Sequence, residues 1–355
     1  MKQIIRVGAL AAASALALAA CSSAPEETES SADATMGADT PAETVDFTAC
    51  MVSDAGGFDD KSFNQTGFEG LQAAETELGV EINTAQSADG NEYGPNLDAL
   101  VAAGCDHIVA AGFLLGDATA AAAESNPETH FSIIDFAYDP AIDNVKGLTF
   151  AADQPSFLAG YVAAATTETG KVGTFGGINI PSVTAFMDGY LAGVNYFNET
   201  TGGDVQVLGW DGSTGSFTES FDDIPAGKSV STGLIDQGVD IILPVAGPVG
   251  EGALQAAREA GDTWVIGVDS DWVNIYTDYS DIILTSVLKK IDVAVLEAIR
   301  EDVDGAFSNE SYLGTLENDG VGLAELADVV DESVAAEVET IKSGIIDGSI
   351  TVAVS

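Results

Sequence analysis

From residue 45 onward, short apolar runs alternate with longer amphipathic segments. The short runs predict strands at residues 47–53, 80–83, 107–110, 131–135, 172–175, 205–208, 241–244, 264–268 and 282–285. The longer segments predict helices at residues 62–78, 93–103, 117–124, 154–167, 182–198, 224–237, 249–260 and 288–301. Strands and helices that alternate on this scale form parallel sheets flanked by helices. The predicted fold class is therefore α/β.

The predicted strands are too many for one compact doubly wound sheet, and the series restarts after residues 147–150. We therefore expect two similar lobes, each a doubly wound parallel sheet, with residues 147–150 as the first crossing between them. Ligands of open parallel sheets lie beyond the carboxyl ends of the strands. Two facing lobes would place those ends around a shared cleft, which is the predicted site.

The first 45 residues predict export and anchoring rather than a folded element. Lys2 and Arg6 precede an apolar run at residues 7–20, which is too short to span a bilayer and is typical of a signal peptide. The run ends in LAAC, which resembles a bacterial lipobox with lipidation at Cys21; the alternative is an ordinary cleavage site with an incidental cysteine. The polar, Ser-, Thr- and Pro-containing stretch that follows, to about residue 45, predicts a disordered tether.

The charge balance excludes one large class of function. The chain has 11 Lys and Arg residues against 57 Asp and Glu residues, which gives a formal net charge of −46. Such a surface repels phosphate backbones and anionic headgroups, so we expect no nucleic-acid partner and a membrane contact only through the lipid anchor. The few basic residues also favour an uncharged ligand over a nucleotide phosphate.

Two further cysteines lie next to predicted strands. Cys50 lies inside the first strand, and Cys105 lies just before the third. Export would allow them to oxidise to a disulfide. Two buried free thiols are the alternative, because the sequence does not provide the distance between their Cα atoms.

Polar residues recur where the predicted strands end. Asp54 follows the first strand, Asp135 ends the fourth, two glycines follow the fifth, and Asp269 follows the eighth. Carboxylates at these positions can accept hydrogen bonds from vicinal hydroxyls, as a polyol ligand requires. Each could instead cap a helix, but their repetition favours a binding site.

Residues 54–65 (DAGGFDDKSFNQ) resemble the opening motif of the basic membrane protein family, whose members are purine-nucleoside-binding lipoproteins of ABC importers. The resemblance extends over residues 50–330 through segments 170–173 (GKVG), 176–177 (GG) with Pro181, 191–194 (LAGV), 245–247 (VAG), 266–271 (IGVDSD) and 285–290 (TSVLKK). It implies a type I periplasmic-binding-protein-like fold. The first lobe would comprise residues 46–150 and about 286–320, and the second would comprise 151–285 and the C-terminal segment to 355, with crossings near 150, 285 and 320.

The resemblance also implies a set of ligand-binding residues. Phe63 lies about a quarter turn from the centre of its helix's apolar stripe and can present a ring to a base. In the family, a second aromatic residue from the other lobe covers the opposite face of the base, and Phe217 is the match for it. The implied polar contacts are Asp54, Asn64 and Asp135 from the first lobe, and Gly247, Asp269 and either Lys289 or Lys290 from the second.

An extracytoplasmic, membrane-anchored binding protein that delivers purine nucleosides to a permease is therefore the predicted function. A protein of the same fold that binds a sugar or signalling molecule is the first alternative. A glycoside or nucleoside hydrolase is a remote one, because the chain has two histidines, no nucleophile elbow, no phosphate loop and no metal-ligand cluster in its sequence. The expected protein is no enzyme and has no cofactor and no metal.

Overall fold

The computed structural model describes residues 44–353. The predicted signal peptide, Cys21 and nearly all of the tether lie outside this part of the chain. Among the described residues, no helix combines the length and the apolar character that a membrane crossing needs.

The described chain forms twelve strands in two sheets. The strands are β1 Thr48–Val52, β2 Glu81–Ala85, β3 His107–Ala110, β4 His130–Ile134, β5 Val145–Phe150, β6 Lys171–Gly176, β7 Gln206–Leu208, β8 Ile241–Val245, β9 Trp264–Asp269, β10 Ile283–Lys289, β11 Tyr312–Gly314 and β12 Val321–Leu323.

Helices follow nearly every strand and cover both sheets. They are α1 Phe63–Leu78, α2 Tyr93–Ala102, α3 Gly116–Ser125, α4 Asp153–Thr166, α5 Pro181–Thr201, α6 Ile224–Ile235, α7 Glu251–Ala260, α8 Trp272–Ile275, α9 Ile291–Val303 and α10 Glu332–Ile346.

The two sheets repeat the same topology. The first has the order β11-β5-β4-β3-β1-β2 and the second has the order β12-β10-β9-β8-β6-β7. Strand pairing is parallel throughout the first sheet, and in the second it is parallel except between β10 and β12. The predicted α/β fold with two doubly wound lobes is confirmed. Each strand of the first lobe therefore has a counterpart in the second, such as β4 with β9 and β3 with β8.

The chain returns to the first lobe after β10. Residues Ile291, Val295 and Ile299 of α9 pack in one core with Leu71 and Ala74 of α1. The strand β11 then joins the first sheet, whereas β12 and α10 add to the second. The lobes are thus linked by several stretches of chain, an arrangement that permits hinge motion about them.

The pattern of apolar residues missed several elements. Residues 147–150 are the end of strand β5, not a connection, and the crossing follows that strand. Its apolar run is interrupted by Lys146, whose buried ammonium pairs with Glu301 at 2.7 Å, and by Gly147. The three-residue strands β11 and β12 are too short for a periodic signal, and α10 was not predicted.

Cys50 and Cys105 form a disulfide, with their Cα atoms 6.0 Å apart. The bond ties β1 to the turn that precedes β3, and both cysteines are buried. Because β1 leads directly to Asp54, this bond fixes the strand that carries one side of the predicted site.

Candidate functional site

A cavity of about 610 Å³, including its mouth, lies where the carboxyl ends of the two sheets face each other. Both lobes line it. The lining residues are Asp54, Ala55, Asp60, Phe63, Asn64, Gly112, Phe113, Leu114 and Asp135 from the first lobe, and Ile180, Ser182, Val183, Phe186, Phe221, Val245, Ala246, Gly247, Pro248, Val268, Asp269 and Lys289 from the second.

Asp135 and Asp269 occupy equivalent positions in the two lobes, directly after β4 and at the end of β9. Both have left-handed backbone conformations, with φ values of 63° and 68°. This region is unfavourable for residues other than glycine, although Asp adopts it more readily than most. Backbone strain of this kind is concentrated at functional sites, where the surrounding fold holds it. The repeat therefore aims one carboxylate from each lobe into the cavity.

Lys289 joins these two carboxylates across the cleft. Its Nζ lies 2.8 and 2.6 Å from the two carboxylate oxygens of Asp135 and 3.9 Å from an oxygen of Asp269. The ammonium also lies 5.0 Å from the ring centre of Phe63 and 5.7 Å from that of Phe186, within cation–π range. Lys289 is 3% exposed, whereas Lys290 is exposed to solvent. Of the two candidates, Lys289 is thus the one that faces the cleft.

Asp54 and Asn64 form a second polar pair. The Asn64 amide donates a hydrogen bond to Asp54 at 2.7 Å, and both side chains are buried. Burial raises the pKa of Asp54 to about 7, although the Asn64 hydrogen bond opposes this shift. The Asn64 side-chain oxygen is buried and has no hydrogen-bond partner within the described chain. A buried acceptor left open in a cavity is a position where a ligand donor is expected to bind.

Asp60 holds the turn that presents Phe63 and Asn64. Its carboxylate accepts backbone N–H bonds from Ser62, Asn64 and Gln65 at 2.9 to 3.0 Å. These groups would otherwise lack partners at the start of α1. Burial raises the pKa of Asp60, and the backbone hydrogen bonds oppose that effect. Asp60 is therefore a positioning residue for the two site residues that follow it, and it also lines the cavity.

The aromatic residues differ in part from the sequence prediction. Phe63 lines the cavity, but Phe217 does not. The Phe217 ring packs edge-on against Trp210, with ring centres 6.0 Å apart, and covers Gly176. From the second lobe, Phe186 of α5 and Phe221 line the cavity instead.

The predicted Gly247 lies at the cavity with a φ of 54°, in the counterpart position to Gly112 after β3. Gly112 has a φ of 114°, and a Cβ atom there would lie 3.2 Å from an Asp54 carboxylate oxygen. Trp272 is fully buried behind the site and donates a hydrogen bond to the Val268 carbonyl at 3.0 Å.

The two histidines lie away from the cavity. His107 bridges Ser132 and Asp302 at 2.9 and 2.8 Å, and His130 contacts the other oxygen of Asp302 at 2.7 Å. A Ser–His–Asp order is also the arrangement of hydrolase triads. Here, however, Ser132 and His107 are completely buried and do not line the cavity, so a substrate cannot reach them. Within residues 44–353, no group of three His, Cys, Asp or Glu residues is arranged to hold a metal ion.

The contribution of Asp54 and Asp269 to the stability of the protein is expected to fall as pH rises from about 4 to about 7. Burial raises the pKa of Asp54 to about 7 and that of Asp269 to about 6, so the folded protein holds these protons more tightly than the unfolded chain. Their contribution to the free energy of unfolding is complete below the ordinary pKa of 3.8 and is lost as pH rises through 6 to 7. The Asp54→Asn variant has no ionisable group at this position. Between pH 5 and pH 8 its free energy of unfolding should therefore fall by about 2 kcal/mol less than that of wild type.

Urea unfolding at both pH values measures this difference. Asp59→Asn is the matched control, because Asp59 is an exposed carboxylate of the same loop. Equal pH slopes for Asp54→Asn and wild type would contradict the assignment of the shifted proton to Asp54.

The chain is similar to known proteins over nearly its whole length. Residues 47–355 match the Bmp family model, described as ABC transporter substrate-binding protein PnrA-like. The chain is 33% identical to the ABC transporter nucleoside-binding protein BmpA of Lactococcus lactis, over 99% of each chain. It is 37% identical to Basic membrane protein A of Borreliella burgdorferi, over 68% of each chain.

A solved structure shows the same architecture. An ABC transporter solute-binding protein from Aeropyrum pernix superposes with a TM-score of 0.78 at 29% identity. The superposition covers 86% of this chain and 92% of that one. The similarity thus extends over both lobes and not over one sheet alone.

Proposed function

We propose that this chain, which belongs to the Bmp family of PnrA-like ABC transporter substrate-binding proteins, binds a purine nucleoside between its lobes and delivers it to a permease. A lipid on Cys21 would hold the protein at the extracytoplasmic face of the membrane. The name of the Lactococcus lactis relative, a nucleoside-binding protein, supports the class of ligand.

The observation that carries the proposal is the combination of aromatic rings and carboxylates in one cavity. Phe63 and Phe186 come from opposite lobes, and both lie within 6 Å of the Lys289 ammonium. Aromatic faces stack on a flat heterocycle, and each such contact contributes about 1–3 kcal/mol in nucleic-acid sites. Asp135 and Asp269 offer acceptors for the two ribose hydroxyls. We assign Asp54 and the open oxygen of Asn64 to the donor groups of the base.

The charges of the cavity favour a neutral ligand. Asp54, Asp60, Asp135 and Asp269 line it, whereas Lys289 is its one lining ammonium among the described residues and is already paired with Asp135. A phosphate group would add negative charge among these carboxylates without a free cation to bind it. A nucleoside provides a base and hydroxyls without that charge.

The mechanism follows from the contribution of both lobes to one site. A ligand that contacts both lobes binds the closed form more tightly than the open form, so it shifts the population toward closure. Closure is a hinge motion and needs no chemical step. We propose that the permease recognises the closed form and receives the ligand unchanged.

Isothermal titration tests the ligand class. Inosine, guanosine or adenosine should bind with a dissociation constant of about 1 µM or tighter, and their monophosphates should bind at least about 100-fold more weakly. Because aromatic faces and carboxylates also suit a sugar, free ribose and glucose belong in the same series. Tight binding of free sugars alone would overturn the nucleoside proposal, and recovery of a hydrolysed nucleoside would favour the enzyme alternative.

The Phe63→Ala variant should bind inosine at least about 10-fold more weakly, because it removes one stacking face. A 10-fold loss of affinity corresponds to about 1.4 kcal/mol of binding free energy. Phe63→Tyr retains the ring and is the control, with an expected loss of less than about 3-fold. The affinity is measured by titration, and thermal unfolding confirms that both variants fold. An unchanged dissociation constant for Phe63→Ala would remove Phe63 from the site.

A further inference from the structure

Two hydroxyl contacts join the lobes beside the cavity. Ser62 donates a hydrogen bond to an Asp269 carboxylate oxygen at 3.2 Å, and the Thr66 and Ser270 hydroxyls lie 2.7 Å apart. Ser62 and Thr66 belong to the start of α1 in the first lobe. Asp269 ends β9 in the second lobe, and Ser270 follows it. Both contacts therefore exist only when the lobes are together.

These hydroxyls lie outside the proposed ligand site. Neither Ser62, Thr66 nor Ser270 lines the cavity. All three line a separate groove that opens to solvent between α1 and the segment after β9. Ser62 and Thr66 are nevertheless buried, with exposures of 1% and 6%. The contacts thus hold the lobes together on the side of this groove, whereas a ligand would contact the lobes in the cavity.

Contacts within the first lobe hold the residues that carry its two hydroxyls. The Thr66 hydroxyl donates to the Ser62 carbonyl at 2.8 Å, and Asp60 accepts the Ser62 backbone N–H at 2.9 Å. Because the single Thr66 proton is used in that bond, Ser270 is the donor in the contact with Thr66. A hydroxyl that is already oriented by its own lobe, as that of Thr66 is, loses little conformational entropy when the lobes close.

We infer that Ser62–Asp269 and Thr66–Ser270 form a latch that sets the balance between the open and closed forms, and with it the affinity for a ligand that the three hydroxyls of Ser62, Thr66 and Ser270 do not touch. Ser62 is in addition a positioning residue, because its hydroxyl orients the Asp269 carboxylate that faces the cavity. The affinity part of this inference rests on the proposed function. Ligand affinity falls in proportion to the fraction of protein that is competent to bind, so a weaker latch lowers it.

The first test is Thr66→Val, which removes the hydroxyl at nearly constant volume. It should raise the dissociation constant for inosine by about 3- to 10-fold, the range expected for one neutral hydrogen bond. We expect the dissociation rate to rise by most of that factor, because an interaction formed on closure mainly slows ligand release. Titration gives the first quantity and stopped-flow displacement gives the second.

Thr76→Val is the matched control. Thr76 lies on the same helix and its hydroxyl also bonds carbonyls one turn earlier, those of Gln72 and Ala73, but within residues 44–353 it makes no hydrogen bond to the second lobe. Its affinity for inosine should equal that of wild type. If Thr66→Val also binds and releases inosine as wild type does, the latch is refuted.

A double-mutant cycle tests the pairing itself. Ser270→Ala should weaken binding as much as Thr66→Val does, and the double variant should be no weaker than either single variant. Strictly additive losses would show that the two hydroxyls act separately and would overturn the Thr66–Ser270 contact.

A measurement without nucleoside separates this inference from the proposed function. Spin labels at Asp98→Cys and Glu199→Cys would lie on exposed helical positions of the two lobes. In the absence of inosine, Thr66→Val should lower the population at the shorter interlobe distance relative to wild type. An identical distance distribution would overturn the latch even if no nucleoside binds, and failure of inosine binding in wild type would overturn the proposed function instead.

Discussion

The Lys289→Met variant should bind inosine at least about 100-fold more weakly than wild type. Its free energy of unfolding should be about 3 kcal/mol lower than that of wild type. Met fills most of the space of the lysine side chain but leaves Asp135 and Asp269 without the ammonium that lies between them. Removal of one partner from a buried ion pair leaves an uncompensated charge, which costs about 3–5 kcal/mol. The two carboxylates, one from each lobe, should then repel each other and oppose closure.

Lys290→Met is the matched control, because the neighbouring lysine is exposed to solvent. It should bind and unfold as wild type does. The double variant Lys289→Met/Asp135→Asn removes one of the facing charges and should recover at least half of the lost stability. Titration and urea unfolding provide both readouts. If Lys289→Met matched Lys290→Met in both, Lys289 would have no role in joining the lobes.

Asp302→Ala should destabilise the protein by about 3 kcal/mol and leave the affinity of the folded protein for inosine unchanged. Asp302 is the shared partner of His107 and His130, at 2.8 and 2.7 Å, and His107 is completely buried. Its loss leaves the buried His107 imidazole without its acceptor, which costs about 1–3 kcal/mol, and removes the hydrogen bond of His130, whose side chain is 34% exposed. Since Asp302 lies on α9, the variant loosens that helix from β3 and β4.

The pH dependence of this effect has a defined sign. Burial acts to raise the pKa of Asp302, but hydrogen bonds from His107 and His130 outweigh it and hold the pKa below the ordinary value. The stabilising contribution is therefore present above pH 4 and is lost as pH falls through the lowered pKa. Asp304→Ala, at the exposed end of the same helix, is the control. A difference between Asp302→Ala and wild type below 1 kcal/mol at pH 7 would contradict the structural role of this cluster.

Much of the fold was predictable because parallel sheets leave a strong sequence signal. A strand such as β3 is buried on both faces and appears as a continuous apolar run, and its predicted limits of residues 107–110 are confirmed. The same reasoning failed at β5. Lys146 there is a charged residue in a buried strand, and its partner Glu301 lies more than 150 positions away, so no local pattern reveals the pair.

The position of the cavity was also predictable, because the rule of strand ends applies to both lobes. The rule predicts that Asp54, Asp135 and Asp269 lie in one space, and the structure brings all three to the cavity. The choice between Lys289 and Lys290 could not be made from the sequence. It depends on where β10 ends, and the strand continues to Lys289.

The aromatic residues of the second lobe could not be identified from the sequence. Phe186 lies on the buried face of α5, where an apolar residue is equally expected for core packing. Phe221 and Phe217 lie on one irregular segment, whose course is determined by tertiary contacts such as that of Phe217 with Gly176. A resemblance to a short motif places such a residue near the site but does not decide which of two neighbouring rings enters it.

A crystal structure of the protein grown with inosine tests the central claim most directly. The account predicts one inosine in the cavity between the lobes, with its base against Phe63, its ribose hydroxyls on Asp135 and Asp269, and its glycosidic bond intact. Crystals that contain inosine elsewhere on the surface, with the cavity free of it, would contradict the account.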